Sequence, residues 1–170
     1  MGASGRPLKC DPEIAALWIN IKYSENNKVI STLQKHGTDS TDGDGRTAFM
    51  GAVFHKNREI FNWALANGAN INFKDRTGYT ALHFAAQNNS FEYAKLLTDN
   101  GADPNVQDRH GNIPLWTAMF NSQRDISDTI KLLIKYHSNV NLNNNYGENC
   151  RLLFATFFKK DISDVDTQAI

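Results

Sequence analysis

The chain has 170 residues, 41% of them apolar, and its 18 basic side chains are balanced by 18 acidic ones, for a formal net charge of zero. That length suits a single domain. Neutrality without a basic stripe leaves out the electrostatic footprint of nucleic-acid binding, and no apolar run approaches the roughly 18 residues that a membrane span needs.

Residues 1–10 read as a disordered leader. Met1-Gly2-Ala3-Ser4-Gly5-Arg6 contains no apolar signal-peptide core, and Arg6 stands where a myristoylation start would carry serine or threonine. Segment 11–41 follows, with two helix-like stretches at 12–23 and 26–35 and the ending His36-Gly37-Thr38-Asp39. It reads as a divergent N-terminal repeat or cap, because terminal repeats need a polar outer face and drift from the common pattern.

From there a marker recurs. Gly45, Gly78 and Gly111 lie 33 residues apart, each in an Asp-x-x-Gly stretch ahead of an apolar segment, and Asn67-Gly68-Ala69 returns at the same spacing as Asn100-Gly101-Ala102. A fixed period of this size is the signature of stacked repeats. The units are 42–74, 75–107, 108–143 and a partial C-terminal unit, 144–170, all within one domain. Asp-x-x-Gly is turn chemistry, with glycine free to take positive φ. Thr47 and Thr80 are expected N-caps. Leu82, Ala85 and Ala86 share one face of a first helix; Phe91, Ala94, Leu96 and Leu97 form the apolar side of a second, which Gly101 ends. From Gly111 to Gly147 the spacing is 36, and Arg124-Asp125-Ile126-Ser127-Asp128 recurs 36 residues on as Lys160-Asp161-Ile162-Ser163-Asp164. The third and fourth units therefore carry a three-residue insertion between their helices, and the fourth reaches only a few residues into its second helix. Trp116 and Met119 are expected to fill core space enlarged by that insertion. Arg151 stands where a core leucine belongs, through either a slip of register or a departure of the C-terminal cap from the pattern.

Thr80-Ala81-Leu82-His83-Phe84-Ala85 resembles the T-P-L-H-x-A hallmark of the ankyrin repeat, with alanine in place of proline. Ile113-Pro114-Leu115-Trp116-Thr117-Ala118 keeps the proline and loses threonine and histidine, and Thr47-Ala48-Phe49-Met50-Gly51-Ala52 is more degenerate. The resemblance implies an all-α solenoid of four to five helix-turn-helix units with short β-hairpin loops. It also implies a structural role for His83, bonding threonine or backbone near the hairpin.

Reactive chemistry is sparse. Cys10 and Cys150 fall at opposite ends of the stack, which suits a reducing, cytoplasmic setting; no Cys-x-x-Cys is present, and no His or Cys pair has metal-ligand spacing on one helix face. Asp42-Gly43-Asp44-Gly45 lacks the acids that a calcium loop needs at positions 40 and 51, so it reads as a turn. Asp125 and Asp161 read as caps or solvated residues. No catalytic residue, metal or cofactor is expected.

What remains is surface. In ankyrin proteins partners are held by the hairpin tips and the exposed faces of the first helices. Carried onto this chain, the tip positions are Gly43, Asp44 and Arg46; Arg76, Thr77 and Tyr79; Arg109, His110 and Asn112; and Asn145, Tyr146 and Glu148. The helix positions are Phe54 and His55; Gln87 and Asn88; Phe120 and Asn121; and Thr156 and Phe157. The expected partner-binding set is Phe54, Arg76, Tyr79, Gln87, Arg109, His110, Asn112, Phe120, Asn121 and Tyr146, chosen for the weight of aromatics and arginine in binding hot spots. The resemblance to small free-standing bacterial ankyrin proteins implies a non-catalytic, cytoplasmic protein-binding inhibitor, such as a toxin immunity protein with a cognate toxin as partner. The alternatives are a general adaptor or scaffold, and a ligand-binding protein or enzyme with a pocket at residues 124–129. Leu152, Leu153, Phe154, Phe157 and Phe158 are expected to be poorly covered, which makes dimerisation through the C-terminal end an option.

Overall fold

A computed structural model describes residues 10–123 and 125–168. Residues 1–9, most of the expected leader, Arg124 and residues 169–170 lie outside the described set. Two compact units divide the chain, Met1–Asn70 and Ile71–Ile170.

The first unit holds α1 (Pro12–Ala15), α2 (Leu17–Lys22), α3 (Asn26–His36), α4 (Ala48–Phe54) and α5 (Arg58–Ala66). The stretch expected as one helix over 12–23 breaks at Ala16, which closes α1 and opens α2. Asp11 caps α1 by accepting from the Glu13 amide at 2.8 Å, and Pro12 takes the first helical position, where its missing N–H costs nothing. α2 packs beside α4 and α3 beside α5. Leu17, Ile21, Val29 and Leu33 thereby meet Phe49, Val53, Ile60 and Phe61, all at 1% exposure or less. Each such side chain contributes about 1.5–3 kcal/mol by leaving water. Segment 11–41 therefore contributes two helices, α2 and α3, that pack on the pair α4 and α5, with no Asp-x-x-Gly turn ahead of them. Asn57 caps α5 through the Ile60 amide (3.1 Å) and donates to the Ile21 carbonyl (3.2 Å), tying α5 to α2.

The second unit holds α6 (Ala81–Gln87), α7 (Phe91–Asp99), α8 (Pro114–Asn121), α9 (Asp128–Lys135), α10 (Cys150–Phe158) and a 3-10 turn, Ile162–Asp164. α8 packs against both α6 and α10, and α7 packs against α9. Small residues allow the close approach: Ala85, Ala86, Ala94 and Ala118 are fully buried beside Leu82, Leu97, Leu115, Met119, Ile130 and Leu133. Tyr93, which the sequence reading left out of the core, is 2% exposed.

The tips repeat one device. Oδ1 of Asp75 accepts from the amides of Thr77 (2.7 Å) and Tyr79 (2.9 Å); Oδ1 of Asp108 accepts from His110 (2.7 Å) and Asn112 (2.9 Å); Oδ1 of Asn144 accepts from Tyr146 (2.9 Å) and Glu148 (3.0 Å). Asp42 does the same in the first unit, for Asp44 and Arg46, and its other oxygen holds Arg46, so the residues that resembled a calcium loop form a turn. A backbone bond closes each tip, as in Asp75 N–H to the Tyr79 carbonyl at 2.9 Å, but among the described residues the pairing goes no further than one isolated bridge, Thr41 with Thr47. Gly78 is required twice over. Its φ is +83°, and a Cβ there would stand 2.8 Å from the Arg109 amide nitrogen.

Six residues, 122–127, join α8 to α9, against three between α6 and α7. Ser127 caps α9, and Asp161 at the corresponding turn accepts from the Ser163 amide, a capping role. Among the described residues after that turn, the regular structure is the 3-10 turn Ile162–Asp164. The register at Arg151 is correct, because Asn149 caps α10 where Thr80 caps α6. Arg151 instead turns outward to Asp161 (2.9 Å) and Asn141 (3.2 Å). Of the apolar α10 residues, Phe154 is fully buried and Leu152 is 56% exposed; Leu153, Phe157 and Phe158 are half-buried.

Trp116 corrects the sequence reading. Met119 is fully buried as expected, but Trp116 is half-buried and lines a surface recess. Its counterpart, His83, fills a tight polar slot behind a threonine cap. The cap before Trp116 is Ile113, which has no side-chain oxygen, and the indole is too large for an imidazole slot.

Candidate functional site

Nine of the ten expected partner-binding residues belong to the second unit. Phe54 belongs to the first, at the end of α4, where its ring lies 5.6 Å from Trp18 and 5.1 Å from His55. His55 is lowered in pKa, by burial and then by the charge of Lys22. Arg46 on the first unit's tip is held by Asp42 and Asp44 and covers the Trp18 ring at 4.3 Å, so it stiffens the turn.

In the second unit, Tyr79, His110, Asn112, Phe120 and Asn121 converge on one recess of about 270 Å³, together with Asp108, Trp116 and Thr117. The recess sits between two tips and the outer face of α8. Its back wall is anchored by His83. The Thr80 amide donates to Nδ1 of His83 (3.1 Å), and Nε2 lies 3.2 Å from the Asn112 carbonyl, so the proton sits on Nε2 and the ring ties one repeat to the next. Burial drives the His83 pKa down to about 4, keeping the ring neutral at physiological pH. Tyr79 stacks on this ring at 4.8 Å and meets Phe84 edge-on at 5.6 Å.

The other walls are fixed in turn. His110 accepts at Nε2 from Arg109 Nε (3.1 Å), and its Nδ1 lies 3.3 Å from the Tyr146 hydroxyl, whose ring is 6.3 Å away. This brings Arg109 and Tyr146 to the rim. Asn112 Oδ1 accepts from Asn144 Nδ2 (3.0 Å), and Asn121 Nδ2 donates to the Thr117 carbonyl (2.8 Å). Phe120 is 66% exposed and lies 5.8 Å from Phe157. Arg76 and Gln87 are exposed but stand outside the lining, so the structure does not gather them with the rest. Thr77 and Asn145 serve the framework: the Thr77 carbonyl accepts from the Arg109 amide (2.8 Å), and Asn145 Nδ2 donates to the Arg109 carbonyl (3.0 Å).

Sequence reasoning missed Asp108, Trp116 and Thr117. Asp108 was absorbed by its turn role and Trp116 by its assignment to the core. Thr117 gave no signal, because a framework threonine inside a helix is unremarkable in the pattern.

Elsewhere, the ligand atoms of Asp11, Glu13 and His36 lie within 4.8 Å of one another in the first unit. Glu13 Oε2 is already engaged by Lys35 (2.8 Å) and His36 (3.0 Å), and Lys35 is the main reason its pKa is lowered. Cys150 is a buried free thiol that burial pushes up to about 12 in pKa. Of the region 124–129 expected as an alternative pocket, Arg124 lies outside the described residues; Ile126 lines a shallow hollow of about 210 Å³ with Lys131, Lys160 and Asp161. No helix among the described residues is long and apolar enough to cross a membrane.

A family model described as ankyrin repeats (3 copies) matches residues 14–108, more than half of the chain. An ankyrin repeat protein of fowlpox virus (strain NVSL) is 35% identical over 130 residues, covering 73% of this chain and 37% of that protein. One from variola virus is 30% identical over 124 residues, covering 71% of this chain and 21% of its own. One from Acanthamoeba polyphaga mimivirus is 30% identical over 91 residues, 51% of this chain and 12% of its own. The chain thus spans well under half the length of the relatives it matches. By its repeat period, its paired helices and these matches, the chain belongs to the ankyrin-repeat family.

Proposed function

We propose that the chain is a non-catalytic protein-binding module whose partner docks on the recess of the second unit, between the tips at Tyr79 and His110 and the outer face of α8. Ankyrin repeats mediate protein–protein interaction. The observation that carries the present reading is the convergence of Tyr79, His110, Asn112, Phe120 and Asn121 on one recess, with Arg109 and Tyr146 at its rim. Most of these side chains are held by neighbours: Tyr79 stacks on His83, His110 accepts from Arg109, and Asn112 and Asn121 are hydrogen-bonded, while Phe120 stays exposed. Docking therefore orders few rotamers and loses little entropy.

The test is affinity capture of the tagged chain and of a Phe120→Ala/Arg109→Ala variant from cells that produce it, with the bound protein then assayed alone. A protein held by the wild type and lost from the variant, with unchanged melting temperature, supports docking at the recess. A partner that is toxic alone and harmless in the complex makes the module an inhibitor of the immunity type in the cytoplasm; a partner that stays active makes it a scaffold. Equal capture by both proteins overturns the placement. Dimerisation through α10 would appear as a doubled mass in light scattering that Leu152→Glu abolishes.

A further inference from the structure

Resting on the docking reading above, we infer that the recess of the second unit receives a cationic side chain, arginine or lysine, of the partner protein. Three of its walls are aromatic: Tyr79, Trp116 and Phe120. Aromatic faces carry negative potential and attract a cation within about 6 Å of the ring centre. The one carboxylate in the lining belongs to Asp108, a residue only 9% exposed. Its Oδ1 is taken by the amides of His110 and Asn112, while Oδ2 has no donor among the described residues. The equivalent acid of the first unit, Asp42, differs here, because its Oδ2 is paired with Arg46.

That leftover oxygen decides the class of occupant. Any partner that covers the recess removes Asp108 Oδ2 from water. Hydrocarbon placed there would leave a buried, unpaired charge, which is costly, and an anion would add repulsion. A guanidinium or ammonium group pairs the oxygen and has its own desolvation offset by the aromatic faces. Asn121 adds a second acceptor, because its amide nitrogen is used on Thr117 and its Oδ1 is not. Arg109, the nearest basic residue on the tip, is outside the lining and is turned to His110 Nε2.

Asn144 supplies the matched variant. It makes the same two backbone bonds with Oδ1 as Asp108 does, without the charge, so Asp108→Asn keeps the tip and removes the attraction. The experiment is selection of random 12-residue peptides displayed on phage against the immobilised full-length chain, followed by titration of the enriched peptides against wild type, Asp108→Asn and Phe120→Ala. The expected result is peptides that carry arginine or lysine and bind each variant at least about ten-fold more weakly, with both melting temperatures unchanged. Peptides that need Phe120 but lack a basic residue, or that bind Asp108→Asn as well as wild type, overturn the cation inference and leave the docking face intact. If no enriched peptide depends on Phe120, the docking face falls and the inference with it.

Discussion

The repeats at 75–107 and 108–143 share a fold and put opposite residues in the same slot. In the first, His83 is wholly buried, accepts from the Thr80 amide and reaches the Asn112 carbonyl of its neighbour. In the second, Trp116 follows an isoleucine cap, remains half-buried and faces a recess. The difference shows where this chain keeps its framework and where it gives framework up. The first repeat closes its histidine slot with bonds inside the framework, and only Tyr79 of that repeat reaches the recess. The second, which has lost the threonine and histidine, puts an indole at the recess in place of that slot.

The contrast predicts a ladder of effects on stability. Gly78→Val comes first, because it combines positive φ with a collision against the Arg109 amide; it should cost more than about 3 kcal/mol in urea unfolding. Gly101→Val, with similar φ but open space around its Cβ, should cost about 1–2 kcal/mol. Equal losses would mean that contact between tips contributes nothing.

Next is the acid dependence of His83. Its ordinary pKa is 6.5, and burial lowers the folded value to about 4. A lowered folded value means the unfolded chain takes up the proton first. Stability is therefore complete above pH 6.5, falls as pH drops towards 4, and loses about 3 kcal/mol across that window. The lowered His55 adds to the loss in the same direction. Urea midpoints measured at pH 7 and pH 4.5 should differ much less in His83→Ala than in wild type. At neutral pH His83→Ala itself should cost about 2–3 kcal/mol, because it strands the Asn112 carbonyl and the Thr80 amide, while Trp116→Ala should cost about 1 kcal/mol. The reverse order would sink the division between locked and open repeats.

The smallest stability effect is expected at the recess rim. Phe120→Ala and Arg109→Ala should each shift unfolding by no more than about 0.5 kcal/mol, the range for surface substitutions. For a docked partner, Phe120→Ala should weaken affinity by about thirty-fold, the scale of an aromatic hot spot.

Much of the fold was legible because each repeat must make the same turn. The 33-residue glycine period located three of the tips, and Thr47, Thr80 and Gly101 marked helix ends that the structure retains. The break at Ala16 was not legible, since an alanine in a helical stretch gives no stop signal. The site was legible only in part. Tyr79, His110, Asn112, Phe120 and Asn121 could be placed by register, but Asp108 could not, because its turn role already accounted for an acid at that position. Trp116 was misplaced because an aromatic residue at a core-like position looks like packing until its neighbours are known. Arg76 and Gln87 obeyed the same register and still fell outside the lining, because register gives the face of a repeat and not the depth of a hollow.

The most direct test of the docking claim uses two equally exposed aromatic positions. Phe120 and Tyr23 are both 66% exposed, one at the recess and one on the first unit. A photo-crosslinking phenylalanine analogue at each position, activated in cells that produce the protein, should trap a single partner in high yield from position 120 and not from position 23. The same proteins trapped at both positions, or none at position 120, would contradict the account.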